Sequence, residues 1–190
     1  MNVLLLCGSR NPNGQTAQAA QALLEGVQAG GGQGELVLLA PRKIERCRQC
    51  DEQGWGICRT RGQCIIDDDF ADLFAKVRAA EVVAFATPVY YGDLSESLRA
   101  FLDRLRRTCW HMPDKNGLAG KPTLGICVAG GGGGGSYSCA ANLEKLLTTC
   151  GLNLLDMIPV RRQNLQMKTA ILRATGQWLA ETETIADCGL

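Results

Sequence analysis

Residues 2–40 read NVLLLCGSRNPNGQTAQAAQALLEGVQAGGGQGELVLLA and hold one complete unit of the fold. Asn2 to Gly8 is a short, continuously apolar strand that runs into a polar loop. Thr16 to Gln28 then carries Ala, Leu and Val at helical spacing, and GGGQG stops that helix before a second apolar run, ELVLLA. Strands apolar on both faces, joined through an amphipathic helix, predict parallel pairing under a helical cover.

The unit recurs along the chain. Asp67 to Ala80 places Phe70, Leu73, Phe74 and Val77 on one helical stripe, and the aspartates at 67 to 69 put negative charge where free backbone N–H groups point. Glu81 to Pro88, EVVAFATP, is a third strand. Ser95 is the expected N-cap of a helix running to Arg107, with Leu98, Phe101, Leu102 and Leu105 facing the core. Thr123 to Val128 is a fourth strand, followed after a glycine run by a helix over Ala140 to Cys150. Leu154 to Val160 is a fifth, with Pro159 placing its end at a sheet edge, and Lys168 to Glu181 is the last helix. The expected architecture is α/β, a three-layer doubly wound sandwich with a five-stranded parallel sheet. It forms a single domain over 1–190 with a cysteine-rich insertion at 41–66. In such a sheet the loops after strands one, three and four converge at the carboxyl ends, where ligands bind.

Composition narrows the function. The chain has 190 residues, with 20 Lys and Arg against 19 Asp and Glu and a formal net charge of +1. That balance argues against a strongly electropositive nucleic-acid binder and a charge-expanded disordered chain. Arg42, Lys43, Arg46, Arg48, Arg59 and Arg61 read as a solvated surface, with no nucleic-acid partner expected. The first apolar run is too short to span a bilayer and has no basic region before it, so a reducing cytoplasm and no membrane are expected. Of the 10 cysteines, most sit singly in apolar runs and read as small buried hydrophobes. Cys47, Cys50, Cys58 and Cys64 are the exception.

The loop after the first strand, GSRNPNGQT, offers Ser9, Asn11, Asn13, Gln15 and Thr16 just before a helix N-terminus, an environment that suits a phosphate even without a lysine. It matches neither G-x-G-x-x-G nor the P-loop, which needs four residues between its glycines and then Lys; here five intervene between Gly8 and Gly14, and Gln15 follows. After strand three, Pro88, Val89, Tyr90, Tyr91 and Gly92 present aromatic surface and backbone groups suited to a planar ring. After strand four comes the run Gly130 to Gly135, either mobile or held by close approach to a ligand.

Together GSRNPNGQT, ATPVYYGDLSESLRAFLDR and the glycine loop after GKPTLGICVAG resemble the NAD(P)H-dependent FMN reductase group of flavodoxin-like proteins, closest to its iron-sulfur flavoprotein branch. The resemblance covers most of residues 2 to 160. It implies a flavodoxin-like fold and an FMN site. Ser9, Asn11, Asn13, Gln15 and Thr16 would surround the phosphate, with Arg10 supplying charge where relatives commonly carry Arg at the place of Asn11. Pro88, Val89, Tyr90, Tyr91 and Gly92 would contact the ribityl chain or ring, and Ala129, Gly130 and Gly131 would approach the same ring. The implied activity is FMN-dependent oxidoreduction or electron transfer, with NAD(P)H or a redox protein as donor and no side-chain triad, because the cofactor carries the chemistry. A homodimer or homotetramer is implied as well, with the 41–66 segment and Trp110 near the interface.

The cluster C-x2-C-x7-C-x5-C supplies four thiolates, enough for one iron-sulfur cluster or a tetrahedral zinc, and spacing alone does not choose between them. The resemblance favours [4Fe-4S], although Gln53 stands where relatives place the third cysteine and Cys58 comes later. Reduced or disulfide-linked thiols are the third option. Cys47 and Cys50 also form a C-x-x-C pair, without the strand and helix context of a thioredoxin-like motif. His111, the single histidine, reads as structural, and no G-x-S-x-G elbow or H-E-x-x-H helix supports a hydrolase. The competing function is a nonredox binding or assembly protein with a structural zinc loop.

Overall fold

Val3, Leu5 and Cys7 face one side of the first strand and Leu4 and Leu6 the other, and all five are buried. A strand of this kind needs a cover on both faces. The computed structural model describes residues 1–182; residues 183–190, which include Cys188 and the end of the expected domain, lie outside the described residues.

The strands are β1 (Asn2–Cys7), β2 (Gln33–Leu38), β3 (Val82–Pro88), β4 (Pro122–Ala129) and β5 (Asn153–Arg161). The helices are α1 (Gln15–Ala29), α2 (Ile57–Arg61), α3 (Phe70–Ala79), α4 (Glu96–Cys109), α5 (Ser136–Thr149) and α6 (Leu165–Glu181). All strand pairs are parallel, in the order β2-β1-β3-β4-β5. The winding reverses between β1 and β3, and β5 is an edge strand, which tolerates the missing N–H of Pro159. The sequence-based expectation of a doubly wound five-stranded sandwich is met. Apolar residues of α1 and α6 close one face of the sheet and those of α3, α4 and α5 the other.

Three helix starts differ from the expected ones by three residues or more, and α6 begins at Leu165 rather than Lys168, directly after a short 3-10 turn at Arg162–Asn164. α5 begins at Ser136, directly after the glycine run, rather than at Ala140. α3 begins at Phe70 rather than Asp67, because two of the aspartates turn toward the 41–66 segment. Asp69 accepts the Lys43 N–H at 2.8 Å, and Asp68 accepts those of Glu45 at 2.8 Å and Phe70 at 3.1 Å. The N-cap of α4 is as expected, with Ser95 Oγ accepting the Leu98 N–H at 3.4 Å.

Asp68 also forms a two-pronged pair with Arg104 of α4, at 2.7 and 2.9 Å. The two side chains are 0% and 1% exposed. Arg104 further donates to the carbonyls of Glu45 and, at 3.5 Å, Ile66, and stacks over Phe70 at 4.3 Å. The long 41–66 segment is thus tied to the sheet by a buried charge pair as well as by apolar contact. Cys7, Cys109, Cys127, Cys139 and Cys150 are all buried, as expected of small hydrophobes, and burial pushes the Cys109 thiol up to about 11.

α1 and α6 cross with no side chain between them at two points. A Cβ on Gly26 would stand 2.0 Å from the Arg173 carbonyl oxygen, and one on Gly176 would stand 2.0 Å from that of Leu23. No rotamer change relieves a clash with backbone. Gly176→Ala therefore lowers stability by about 2 kcal/mol, roughly 4–8 °C in Tm, despite the better helix propensity of Ala, as thermal unfolding would show. Asp68→Asn leaves Arg104 as an unpaired buried cation and costs about 3–5 kcal/mol. Burial alone would raise the Asp68 pKa, but the bonds from Arg104, Glu45 and Phe70 hold it below the ordinary carboxylate value. Its contribution is complete above the unfolded value of about 3.9 and drains away as pH falls through the lower folded value. The variant's urea midpoint should therefore vary less with pH than the wild type's below about pH 4.

Candidate functional site

The loop after β1 is built from its own polar side chains. Ser9 Oγ and Asn11 exchange bonds at 3.2 Å, Asn11 Oδ1 accepts the Asn13 N–H at 3.0 Å, and the Gly14 N–H closes on the Asn11 carbonyl at 3.1 Å. This folds the chain so that α1 starts at Gln15 with Gly14 as its N-cap. Glycine offers no capping oxygen and no acidic residue stands in the first turn, so the N–H groups of that turn have no side-chain partner among the described residues. Thr16 is buried beside them, and Arg10 reaches outward, 3.9 Å from Glu96.

Gly8 ties this loop to α4. A Cβ there would stand 2.1 Å from Ser95 Oγ, while Ser97 Oγ donates to the Gly8 carbonyl at 3.3 Å. Ser95 in turn donates its N–H to Thr87 Oγ1 at 2.9 Å. The ends of β1 and β3 and the start of α4 therefore form one hydrogen-bonded unit.

Beyond Pro88, Val89 donates to the Val128 carbonyl at 3.0 Å, and Tyr90 and Asp93 exchange backbone bonds across a two-residue turn. Tyr91 and Gly92 occupy that turn with φ of 51° and 80°, the double left-handed geometry of a tight hairpin. Tyr91 is held fully outside the protein, in a conformation uncommon for a non-glycine residue. Asp93 braces the turn through a two-pronged pair with Arg99 at 2.6 and 2.7 Å and by accepting the Leu94 N–H. Burial raises the Asp93 pKa, and the bonds from Arg99 and Leu94 outweigh that and lower it.

The glycine run after Ala129 comes to meet this turn. Gly131, Gly133 and Gly135 all have positive φ, and a Cβ on Gly135 would lie 2.8 Å from Gly92 Cα. Gln163 donates to the Gly131 carbonyl at 3.3 Å. Ser136 follows, 1% exposed, with an Oγ that has no hydrogen-bond partner among the described residues. A surface crevice lined by Gly8, Arg10, Arg42, Arg46, Tyr90 and Ser97 opens on the other side of Tyr90.

Cys47, Cys50, Cys58 and Cys64 line a second crevice together with Trp55, Arg104 and Arg107. The expected four-ligand set is not closed. Among the described residues no three His, Cys, Asp or Glu side chains form a ready single-metal site. The reason is local, because Cys50 sits exposed in an irregular loop while Cys58 is carried by α2. Burial pushes the Cys58 thiol up, Arg107 pulls it down, and the other three cysteines raise it again. His111 packs edge-on against Trp55 at 4.7 Å, a structural role.

The three loops named from the sequence are thus brought to one end of the sheet, and the four cysteines to one crevice. Asp93, Arg99 and Ser97 escape sequence reading because their partners lie outside their own element, and Ser136 because its burial is set by the surrounding fold. Arg104 left a signal, a charge beside Phe101, Leu102 and Leu105 on an otherwise apolar helix face. Arg107 left none.

Comparison with known proteins fits this geometry. An iron-sulfur flavoprotein of Methanosarcina thermophila is 30% identical over 155 residues, covering 80% of this chain and 75% of the relative. One of Methanocaldococcus jannaschii is 28% identical over 131 residues, covering 69% of this chain and 65% of the relative, so the chain spans about two thirds of that protein's length. An NAD(P)H:quinone oxidoreductase from Methanothermobacter marburgensis superposes with a TM-score of 0.69 at 18% identity, over 94% of this chain and 96% of the other, and shares the fold. Residues 1–171 match the NADPH-dependent FMN reductase family, and the chain belongs to that family.

Proposed function

We propose that this chain is an FMN-dependent oxidoreductase that receives electrons from a nicotinamide nucleotide or a redox protein, with an iron-sulfur centre at the cysteine crevice. The observation that carries the flavin reading is the meeting of the three loops at the carboxyl ends of β1, β3 and β4, in a chain of this family.

The residues present fit FMN. The uncapped first turn of α1, with Ser9, Asn11, Asn13, Gln15 and Thr16 around it and Arg10 at its rim, suits a phosphate dianion. Pro88, Val89, Tyr90, Tyr91 and Gly92 on one side and Ala129, Gly130 and Gly131 on the other suit the ribityl chain and ring. A side chain is excluded at Gly135, where its Cβ would meet the Gly92 backbone, and the Ser136 Oγ, without a partner among the described residues, is a spare polar group beside those loops. When bound, FMN supplies a hydride acceptor that releases electrons singly or in pairs. Arg10, Arg42 and Arg46 give the neighbouring crevice a basic mouth suited to a nicotinamide nucleotide's phosphates.

Iron-sulfur is the group named in the curated relatives, and four cysteines on one crevice supply its donor set. Ser97 and Arg107 stand ten residues apart on α4, about 15 Å at 1.5 Å per residue. Each site thus sits near a different end of one helix, an arrangement served by a homo-oligomer in which one subunit's cysteine loop approaches its neighbour's flavin. No helix among the described residues is long and apolar enough to cross a membrane. Single cysteines kept reduced suit a cytoplasmic location. The nonredox zinc reading is not favoured.

The full chain purified anaerobically should carry stoichiometric FMN, with flavin bands that bleach with dithionite and with NAD(P)H or a reduced electron carrier. A folded, colourless chain that takes up no FMN on reconstitution would overturn the reading. Thr16→Ala should weaken FMN binding at least about tenfold in a fluorescence-quenching titration, the loss expected of one hydrogen bond to a charged group. Cys58→Ala should remove most iron and acid-labile sulfide while leaving the flavin in place.

A further inference from the structure

Two arginines of α4 face the cysteine crevice, and both have a buried Nε–H without an acceptor among the described residues. Arg104 is otherwise satisfied by Asp68, Glu45 and Ile66. Arg107 takes part in no ion pair or hydrogen bond among the described residues, and its guanidinium lies over the Trp55 ring at 4.3 Å. Stacking on an aromatic face stabilises the charge but leaves the in-plane N–H groups unused. Three carboxylates near the crevice are engaged elsewhere: Asp68 by Arg104, Glu45 by Arg48, and Asp51 by the Trp55 N–H.

A partly buried cation with an unmet donor is unfavourable until an anion arrives. Neutral thiols do not meet that need. A thiolate-ligated iron-sulfur cluster does, since four thiolates outweigh the positive charge of its core and leave the centre net anionic.

We propose that Arg107, with Arg104 beside it, is a positioning residue for an iron-sulfur centre on Cys47, Cys50, Cys58 and Cys64, supplying the compensating charge and an N–H donor toward its sulfurs. This rests on the iron-sulfur reading above. An uncompensated cation favours the reduced state, which carries one more negative charge, so Arg107 raises the reduction potential of the centre. Arg104 has the same aim but is built into the core, and its replacement unfolds the segment it anchors. Arg107 is therefore the one to test, and Arg106, which does not line the crevice, is the control.

The experiment uses the full chain, reconstituted anaerobically with FMN, iron and sulfide. Iron, sulfide and flavin contents are measured first, and then the cluster is titrated redox-wise by electron paramagnetic resonance. Arg107→Gln should retain FMN, iron and sulfide, while its oxidised-to-reduced ratio at the wild-type midpoint rises about tenfold, equivalent to about 59 mV for a one-electron couple. Arg107→Lys should recover part of that shift, and Arg106→Gln should match the wild type. An unchanged midpoint in Arg107→Gln, or an equal shift in Arg106→Gln, overturns the role of Arg107. Wild-type protein that holds FMN but no iron and sulfide, or holds zinc instead, overturns the iron-sulfur reading and this proposal with it, and does so before any variant is made.

Discussion

The Arg104–Asp68 pair is the constraint on which the arrangement of this molecule turns. Both side chains are buried, and two further N–H bonds of the arginine reach carbonyls at each end of the 45–66 stretch, leaving only its Nε–H without an acceptor among the described residues. A buried pair of this kind adds little net stability over an apolar replacement, but leaving either member alone is expensive. Its effect is to specify one placement of a long segment that has few apolar side chains of its own. Without it the four cysteines would have no fixed wall to face.

α4 carries this constraint from one functional region to the other. Near its start, Ser95 and Ser97 lock the β1 and β3 loops together through Gly8 and Thr87. Near its end, Arg104 and Arg107 form the wall of the cysteine crevice. A rigid helix with an apolar face of Leu98, Phe101, Leu102 and Leu105 buried against the sheet holds the two at a fixed separation. The loops after β3 and β4 are held with similar precision by backbone contact between Gly92 and Gly135 and by the left-handed turn at Tyr91. The strain of a tyrosine in that turn is balanced by Asp93, which is held by Arg99 and receives the Leu94 N–H.

Periodicity made much of this legible. Continuous apolar runs such as VLLLC and VVAFAT have to be covered on both sides, and the regular alternation with amphipathic helices admits few topologies other than a doubly wound sheet. Gly8, Gly14, the Tyr90–Gly92 segment and the glycine run were marked by residue types that matter at strand ends. The helix starts at Phe70 and Ser136 were less legible, because polar side chains such as Asp68 and Asp69 serve a helix end or a distant loop equally well.

The sequence by itself determined the parallel sheet, the order of its loops, the donors available for a phosphate and a planar ring, and the number of thiols in the insertion, since these follow from hydrophobic pattern and local chemistry. Tertiary structure alone decided that Arg104 and Arg107 look into the cysteine crevice, that Asp68 is spent on Arg104, and that Ser136 keeps a buried hydroxyl without a partner among the described residues. Those facts depend on which elements meet across long stretches of chain. Whether a charge is compensated is a property of its neighbours in space, and no local pattern encodes it.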